Sequence, residues 1–420
     1  MEFITYLKQR LGEQVPAIMA EYEGEITTTD LSELENAVKQ MTHEVGNEVI
    51  QQVLEAQDDR YPADYESCPQ CGGPAKYQRR RPGMVITLQG RVYYQRAYYL
   101  CAGCGQGHYP TDQRLGIQPG QMSQEVIKLA ALVGIQEAFG TSRDLLARLT
   151  LLELSPNSIR KACQIVGEHV MADEQALQAE SQDLERQREH TRLTSPKQLC
   201  GSLDGVMVLF EDGWHEVKGG TWWTQDERGQ AQNIHYYVDT APADRFSDLV
   251  WATGFDHLAD QVDDLIFVTD GSEWIERIIT RHFPQATLII DWFHACEYLA
   301  PVAALAHSDA TQREQWLNQV TTDLWEGRIA HVIKTCRPFV RAHLKPDDDP
   351  AQQAIRYFFN QRHRLDYPTY RALNYPIGSG TMESACKQLG LQRLKIAGAR
   401  WGQDRESGQS ARSLSQWTMG

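Results

Sequence analysis

The sequence predicts a mixed α/β protein, and three observations carry that expectation. Helix-period apolar spacing fills the first 58 residues, as in Leu31, Leu34, Val38, Met41, Val45, Val49 and Val53. From Leu199 onward come three successive strand-like runs, "QLCGSLDGVMVLF", "HEVKGGTWWT" and "NIHYYVDT", followed by two strand–helix alternations. Between these regions, two C-x-x-C pairs enclose two further strand-like runs, "MVITL" and "RVYYQRAYYL". A chain of 420 residues has room for two or three domains. The expected order is a helical region at 1–60, a cysteine module at 61–112, a helical region at 120–195, a mixed sheet flanked by helices at 196–402, and an irregular tail at 403–420.

Each element has a local reason. Gln89-Gly90 is the expected turn between the two runs of the cysteine module. "LSPNS" separates two helices, with Ser155 or Asn157 as N-cap and Pro156 in the first turn, which gives a helix-turn-helix-like pair. Ala172–Arg192 reads as a charged, solvated helical spacer. In the sheet region, "ADRFSDLVWATGFDHL" and "SEWIERIITRHF" read as helices, with "DDLIFVTD" and "ATLIID" as strands. "WFHACEYLAPVAALAH" is expected as a single helix that opens a helical insertion over about 296–375. A glycine turn, "IGSGT", then precedes a helix over Met382–Leu389.

Composition narrows the function classes. No apolar run approaches the roughly 18 residues of a bilayer span, and the N-terminus lacks a signal-peptide core, so a cytoplasmic protein without membrane partners is expected. The net charge of −15 argues against a surface wholly devoted to nucleic acid. Local sign differs, however. Residues 351–402 hold eight basic and two acidic side chains, a local +6, and "KYQRRRPG" with "GRVYYQRAYY" forms a second basic area rich in tyrosine.

Cys68, Cys71, Cys101 and Cys104 form C-x-x-C, 29 residues, C-x-x-C. That spacing fits a zinc ribbon, in which four thiolates close a tetrahedral structural Zn²⁺ site. Around it, Arg79, Arg80, Arg81, Arg91 and Arg96 could clamp DNA phosphates, while the interleaved tyrosines could simply pack the ribbon. Arg160 and Lys161 lie early in the second helix of the helix-turn-helix-like pair, where DNA contacts would fall. Lys387, Arg393 and Lys395 supply the C-terminal basic patch. The remaining cysteines (Cys163, Cys200, Cys296, Cys336 and Cys386) are expected to be buried or inert.

Carboxylates fall at telling places. Asp204 sits in an apolar strand, and Asp270 ends another. The carboxyl ends of strands are where α/β sheets bind ligands. If those strands are neighbours, the two acids share a crevice and need a cation between them, for which Mg²⁺ or Mn²⁺ suits hard oxygen donors. Glu383, after the glycine turn, is the candidate third acid. Each also has an ordinary alternative, because Asp-Gly is a common turn and a first-turn Glu simply favours the helix dipole. Asp291 ends a further strand, which makes it a fourth candidate ranked below Asp270. His294, three residues on, could contact a phosphate or base, or could hydrogen-bond to Asp291. Trp316 and Trp325 in the insertion read as core, or as a platform for an extruded base.

The blocks "SLDGVMV", "FVTDGSEWI", "IIDWFHACEYL" and "IGSGTMESACKQ" resemble those of bacterial insertion-sequence transposases of the ISKra type, within the DDE superfamily. The resemblance covers roughly residues 60–402. It implies an RNase H-like catalytic core, a divalent metal, and cleavage and strand transfer at element ends. It also implies double-stranded DNA as partner, a homodimer on that DNA, and a bacterial, nucleoid-associated location. Asp204, Asp270 and Glu383 match the catalytic acids, and the insertion matches the segment such enzymes carry before the glutamate. Asp291-x-x-His294 is similar to the [C/D]-x-x-H signature of Mutator-like transposases. The tail "QDRESGQSARSLSQWTMG" departs from the pattern, as a reading frame shifted near Gln403 would. A structure-specific nuclease and a non-catalytic DNA-binding regulator are the competing functions.

Overall fold

The computed structural model describes residues 3–58, 63–117, 121–190, 193–210 and 212–382. The chain divides into two compact units, 1–166 and 167–420.

In the first unit, α1 (Phe3–Glu21), α2 (Glu23–Ile26) and α3 (Leu31–Asp58) occupy the stretch of helical spacing. Arg10 of α1 donates to Gln52 (2.9 Å) and pairs with Glu55 (3.1 Å) on α3. The last residue of α3, Asp58, is fully buried. Its carboxylate accepts from the Ala97 N–H (2.8 Å) and the Thr111 hydroxyl (2.6 Å), and it pairs with Arg80 (3.3 Å). Such a buried charge persists only when it is paired in this way, so Asp58 staples the helix to the sheet beneath it.

That sheet is antiparallel, in the order β1 (Tyr65–Ser67), β2 (Pro74–Thr87), β3 (Gly90–Cys101), β4 (Gly107–His108). The second strand is longer than "MVITL" alone and takes in "KYQRRRPG". Among the described residues Pro82 pairs only with β3, through Gln95, and a one-sided strand tolerates a residue without an N–H. The β2–β3 loop is Leu88–Gln89, one residue earlier than expected, and Gly90 supplies the positive φ of +87° that closes it. Asn47 of α3 caps this loop by donating to the Gln89 carbonyl (2.7 Å). Three helices follow, α4 (Pro110–Leu115), α5 (Gln124–Gln136) and α6 (Phe139–Thr150), and then α7 (Pro156–Gln182). Ser155 is the N-cap of α7, since its hydroxyl accepts the Ser158 N–H at 3.0 Å. The charged stretch from Ala172 continues α7 as far as Gln182, so it is not a separate spacer; a short α8 (Leu184–His190) follows.

The second unit is built on a mixed sheet. Its strands are β5 (Gln198–Phe210), β6 (Gly213–Gln225), β7 (Ala231–Asp239), β8 (Asp264–Thr269) and β9 (Thr287–Ile290), in the order β7-β6-β5-β8-β9. The first three pair antiparallel, and β5-β8-β9 run parallel. Alternation along the strands sorts the core into two layers. Leu199, Leu203, Trp222, Leu265 and Phe267 face α9 (Ala243–Asp256) and α10 (Glu273–His282). Cys200, Trp223, Ile266 and Val268 face the opposite side, where the helical insertion packs.

The insertion comprises α11 (Trp292–Glu297), α12 (Leu299–Ala306), α13 (Ala310–Trp325), α14 (Ile329–Cys336), α15 (Pro350–Gln361) and α16 (Tyr367–Ala372). The run expected as one helix is therefore two, joined at Tyr298. Trp316 packs edge-on to Phe339 (6.0 Å), while Trp325 meets Trp292 (5.0 Å) and the Arg371 guanidinium (4.0 Å). Both tryptophans are packing residues. Among the described residues, no helix is long and apolar enough to cross a membrane.

Candidate active site and metal centre

Strand pairing builds the candidate site. β5 pairs with β8 from Gln198 to Gly201 and then continues alone on that side, so Asp204 lies past the end of the parallel pairing. Asp270 follows the last residue of β8, and Asp291 follows the last residue of β9. Asp270 and Asp291 therefore stand at the carboxyl ends of β8 and β9, and Asp204 stands beside them in the middle of β5, past its parallel pairing. They line one cavity of about 400 Å³ together with Ser202, Thr269, His294, Glu297 and Ser379.

Each acid is held differently. The Asp204 carboxylate accepts the Gly205 N–H at 2.7 Å. Asp270 accepts from the Ser272 N–H (2.8 Å) and hydroxyl (2.5 Å), while its own carbonyl accepts from the Tyr357 hydroxyl (3.0 Å). Asp291 is only 2% exposed. Its two oxygens accept the backbone N–H groups of His294 (2.7 Å) and Ser379 (2.6 Å). The glycine-flanked turn at 378–380 is thus tied to the sheet through Asp291, a link that sequence spacing did not suggest.

Residues 380–382 are helical, and the rest of the helix expected over Met382–Leu389 lies outside the described residues. Met382 is buried and packs where Gly219 leaves no side chain, since a Cβ there would lie 2.8 Å from its methyl group. Glu383, Lys387, Arg393 and Lys395 lie outside the described residues.

His294 is hydrogen-bonded to Asp291 at the helix start, through its backbone N–H. Its ring faces Glu297, with Nδ1 and the carboxylate 3.4 Å apart. Sequence reasoning missed Glu297, although its place three residues after His294 puts both on one helix face. It also missed Phe293, a cavity residue that is 61% exposed. The negative field of the site is felt nearby. Burial, and then the charge of Asp270, push the Tyr298 hydroxyl above its ordinary range; burial followed by Asp291 pushes the Cys296 thiol up to about 12.

Cys68, Cys71, Cys101 and Cys104 converge with all four sulfurs within 4.8 Å of one another. Among the described residues they are the one group of three or more His, Cys, Asp or Glu side chains that meets this measure, so the three acids of the cavity do not all lie that close to one another. The Sγ separations are 3.6 Å for Cys68–Cys104 and 3.5 Å for Cys71–Cys101. A tetrahedron with Zn–S bonds of about 2.3 Å has edges of about 3.7 Å, so the cluster could hold a zinc-sized ion. Backbone N–H groups of Cys104 and Gly103 pull the Cys101 thiol down to about 7, and those of Cys71 and Gln70 lower Cys68. Gly72 and Gly105 provide the positive φ values (+71° and +72°) that turn each knuckle back on its first cysteine.

The basic residues divide. Alternation on β3 sends Val92, Tyr94 and Arg96 inward and leaves Arg91 and Tyr93 exposed. Arg96 is buried against the Tyr109 ring (3.8 Å), is ion-paired with Asp112, and fills the space left by Gly83. Its guanidinium therefore does not face a phosphate. Arg80 is held by Asp58, and Arg81 lies over the Tyr98 ring at 3.8 Å. Arg79, Arg91 and Lys161 are exposed. Arg160 is exposed too, with its guanidinium resting on Asn157 and Gln164.

Comparison with known proteins finds a match over residues 27–329 to the family described as Uncharacterised protein family (UPF0236). Two similar proteins come from Caldanaerobacter subterraneus subsp. tengcongensis, and both are described as UPF0236 proteins. One is 22% identical over 338 residues, covering 79% of this chain and 67% of its own length. The other is 20% identical over 338 residues, covering 79% and 66%, and its name joins eleven locus designations. The chain spans about two thirds of the length of these curated relatives.

Proposed function

The chain belongs to the uncharacterised family UPF0236, and we propose that it is a DNA transposase that cleaves element ends and transfers the cut strands. The observation that carries the reading is the cavity that Asp204, in mid-β5, shares with Asp270 and Asp291 at the ends of the adjacent parallel strands β8 and β9. On this reading the mixed sheet of the second unit is an RNase H-like core, and the cysteine cluster is a zinc ribbon that helps to hold DNA. The eleven loci joined in one relative's name support it, because an element that moves by transposition leaves many copies in one genome.

The donor set suits Mg²⁺ or Mn²⁺, being carboxylate oxygens around a cavity with room for water. Asp204 and Asp270 would hold the ion with Glu383, and Asp291 would hold the Ser379 turn that precedes Glu383 in the chain. The ions of such a site activate an attacking oxygen and stabilise the leaving one. The chain's own groups do the rest. Ser272 fixes the Asp270 carboxylate, Tyr357 fixes its backbone, and the His294 ring, beside Glu297 in the cavity wall, would meet a phosphate oxygen. The exposed Arg79, Arg91, Arg160 and Lys161 would take backbone phosphates, with affinity that falls steeply with salt. A bacterial, nucleoid-associated homodimer assembled on DNA completes the reading.

The test is incubation of the full chain with DNA spanning its gene and flanks, a target plasmid, and either Mg²⁺ or EDTA. The reading expects Mg²⁺-dependent nicks at defined positions and products joined to the plasmid. Nicks without joined products would leave a structure-specific nuclease. Metal-independent binding without nicks would leave a DNA-binding regulator.

A further inference from the structure

A second, smaller cavity of about 240 Å³ opens beside the acid cavity, lined by His294, Glu297, Tyr298, Pro301, Pro350 and Gln353. It shares His294 and Glu297 with its neighbour, so the two adjoin at α11. Its size lies below the roughly 300–1,000 Å³ of sites for drug-sized ligands, which suits one planar ring system. Its walls are two prolines and an aromatic ring, with an amide, an imidazole and the Glu297 carboxylate as the polar groups.

The aromatic wall is reinforced. Tyr298 stacks on Tyr357 with ring centroids 3.9 Å apart and planes 13° apart, and the Tyr357 hydroxyl donates to the Asp270 carbonyl. The opposite wall is also fixed, because Asp349 caps α15 beneath Pro350 by accepting the Ala351 N–H at 2.9 Å. A ring placed against Tyr298 would extend an existing stack whose far member touches the backbone of a candidate metal ligand.

Resting on the transposase reading, we propose that this cavity is a nucleobase subsite: one base, unstacked from the DNA beside the scissile phosphate, lies against Tyr298 with its edge facing Gln353. This gives the insertion a function, since α12 and α15 supply the pocket wall. It also displaces Trp316 and Trp325, which are engaged in packing. Stacking of this kind tolerates any base, because every base presents a π-face.

The test is photo-crosslinking of the full chain to single-stranded oligonucleotides substituted with 5-iododeoxyuridine, with nicking measured in parallel. The crosslink is expected on the peptide holding Tyr298. Tyr298→Leu should lose it and weaken oligonucleotide binding about tenfold, while Tyr298→Phe keeps both. Gln353→Trp, a change at a half-buried helix position that fills the pocket, should reproduce the loss if Tyr298→Leu fails to fold. Crosslinks confined to other peptides, or wild-type binding by Gln353→Trp, would overturn the subsite while leaving metal-dependent nicking intact. Absence of nicking with the Tyr298 crosslink retained would instead overturn the transposase reading and keep the base site.

Discussion

Asp270→Asn removes Mg²⁺-dependent nicking, by on the order of 10³-fold or more, while the melting temperature stays close to wild type. The rate expectation follows from several kcal/mol of charge stabilisation at the scissile phosphate, at about 1.4 kcal/mol for each tenfold. The stability expectation follows from geometry. Asparagine keeps an oxygen for the Ser272 N–H, and the Tyr357 hydroxyl bonds to the backbone carbonyl, which the substitution leaves in place. Asp204→Asn should match it. Asp291→Ala should differ by also lowering the melting temperature, because it strips the cap of α11 and the anchor of the Ser379 turn at once. Gel assays of nicking beside thermal melts separate the two classes. Wild-type nicking by Asp270→Asn would remove that residue from the chemistry.

Zinc removal should have the other large effect. The ribbon's apolar core is small: Cys68, Ala75, Ala97, Tyr99 and Cys101, with Tyr77 against them. Two of those six are themselves candidate ligands. Apparent binding free energies of structural zinc sites are about 10–16 kcal/mol, far more than so few contacts supply. Purified protein should carry one zinc per chain, and Cys101→Ser should lose it along with protection of β1 and β4 from proteolysis. A cobalt-loaded sample should show thiolate-to-metal absorption bands. Full stability in protein stripped of metal would show that the four thiols need no ion.

Much of the fold was legible because its signals are local. Strand-like apolar runs marked the strands, aspartates within or at the end of those runs marked the cavity, and the cap of α7 was narrowed to Ser155 or Asn157. What stayed hidden depends on partners distant in sequence. Nothing near Asp58 announces that it will meet Ala97 and Thr111, and nothing near Arg96 announces Asp112, so one reads as a helix end and the other as a phosphate clamp. Tyr298 interrupts a helical apolar pattern with no glycine to mark the break, and its stacking on Tyr357 bridges 59 residues. Asp291 looked secondary because spacing alone cannot show that its carboxylate reaches a turn 88 residues on. Arg91, by contrast, is exposed as alternation requires, while Arg79 is exposed at the register shift between Tyr77 and Arg79.

Crystals of the full chain soaked in Mn²⁺ give the most direct measurement. The account predicts an anomalous peak bridged by the carboxylates of Asp204 and Asp270, with Glu383 completing the coordination and the peak lost in Asp270→Asn. A cavity free of manganese at saturating concentration, or an ion bound without either aspartate, would contradict it.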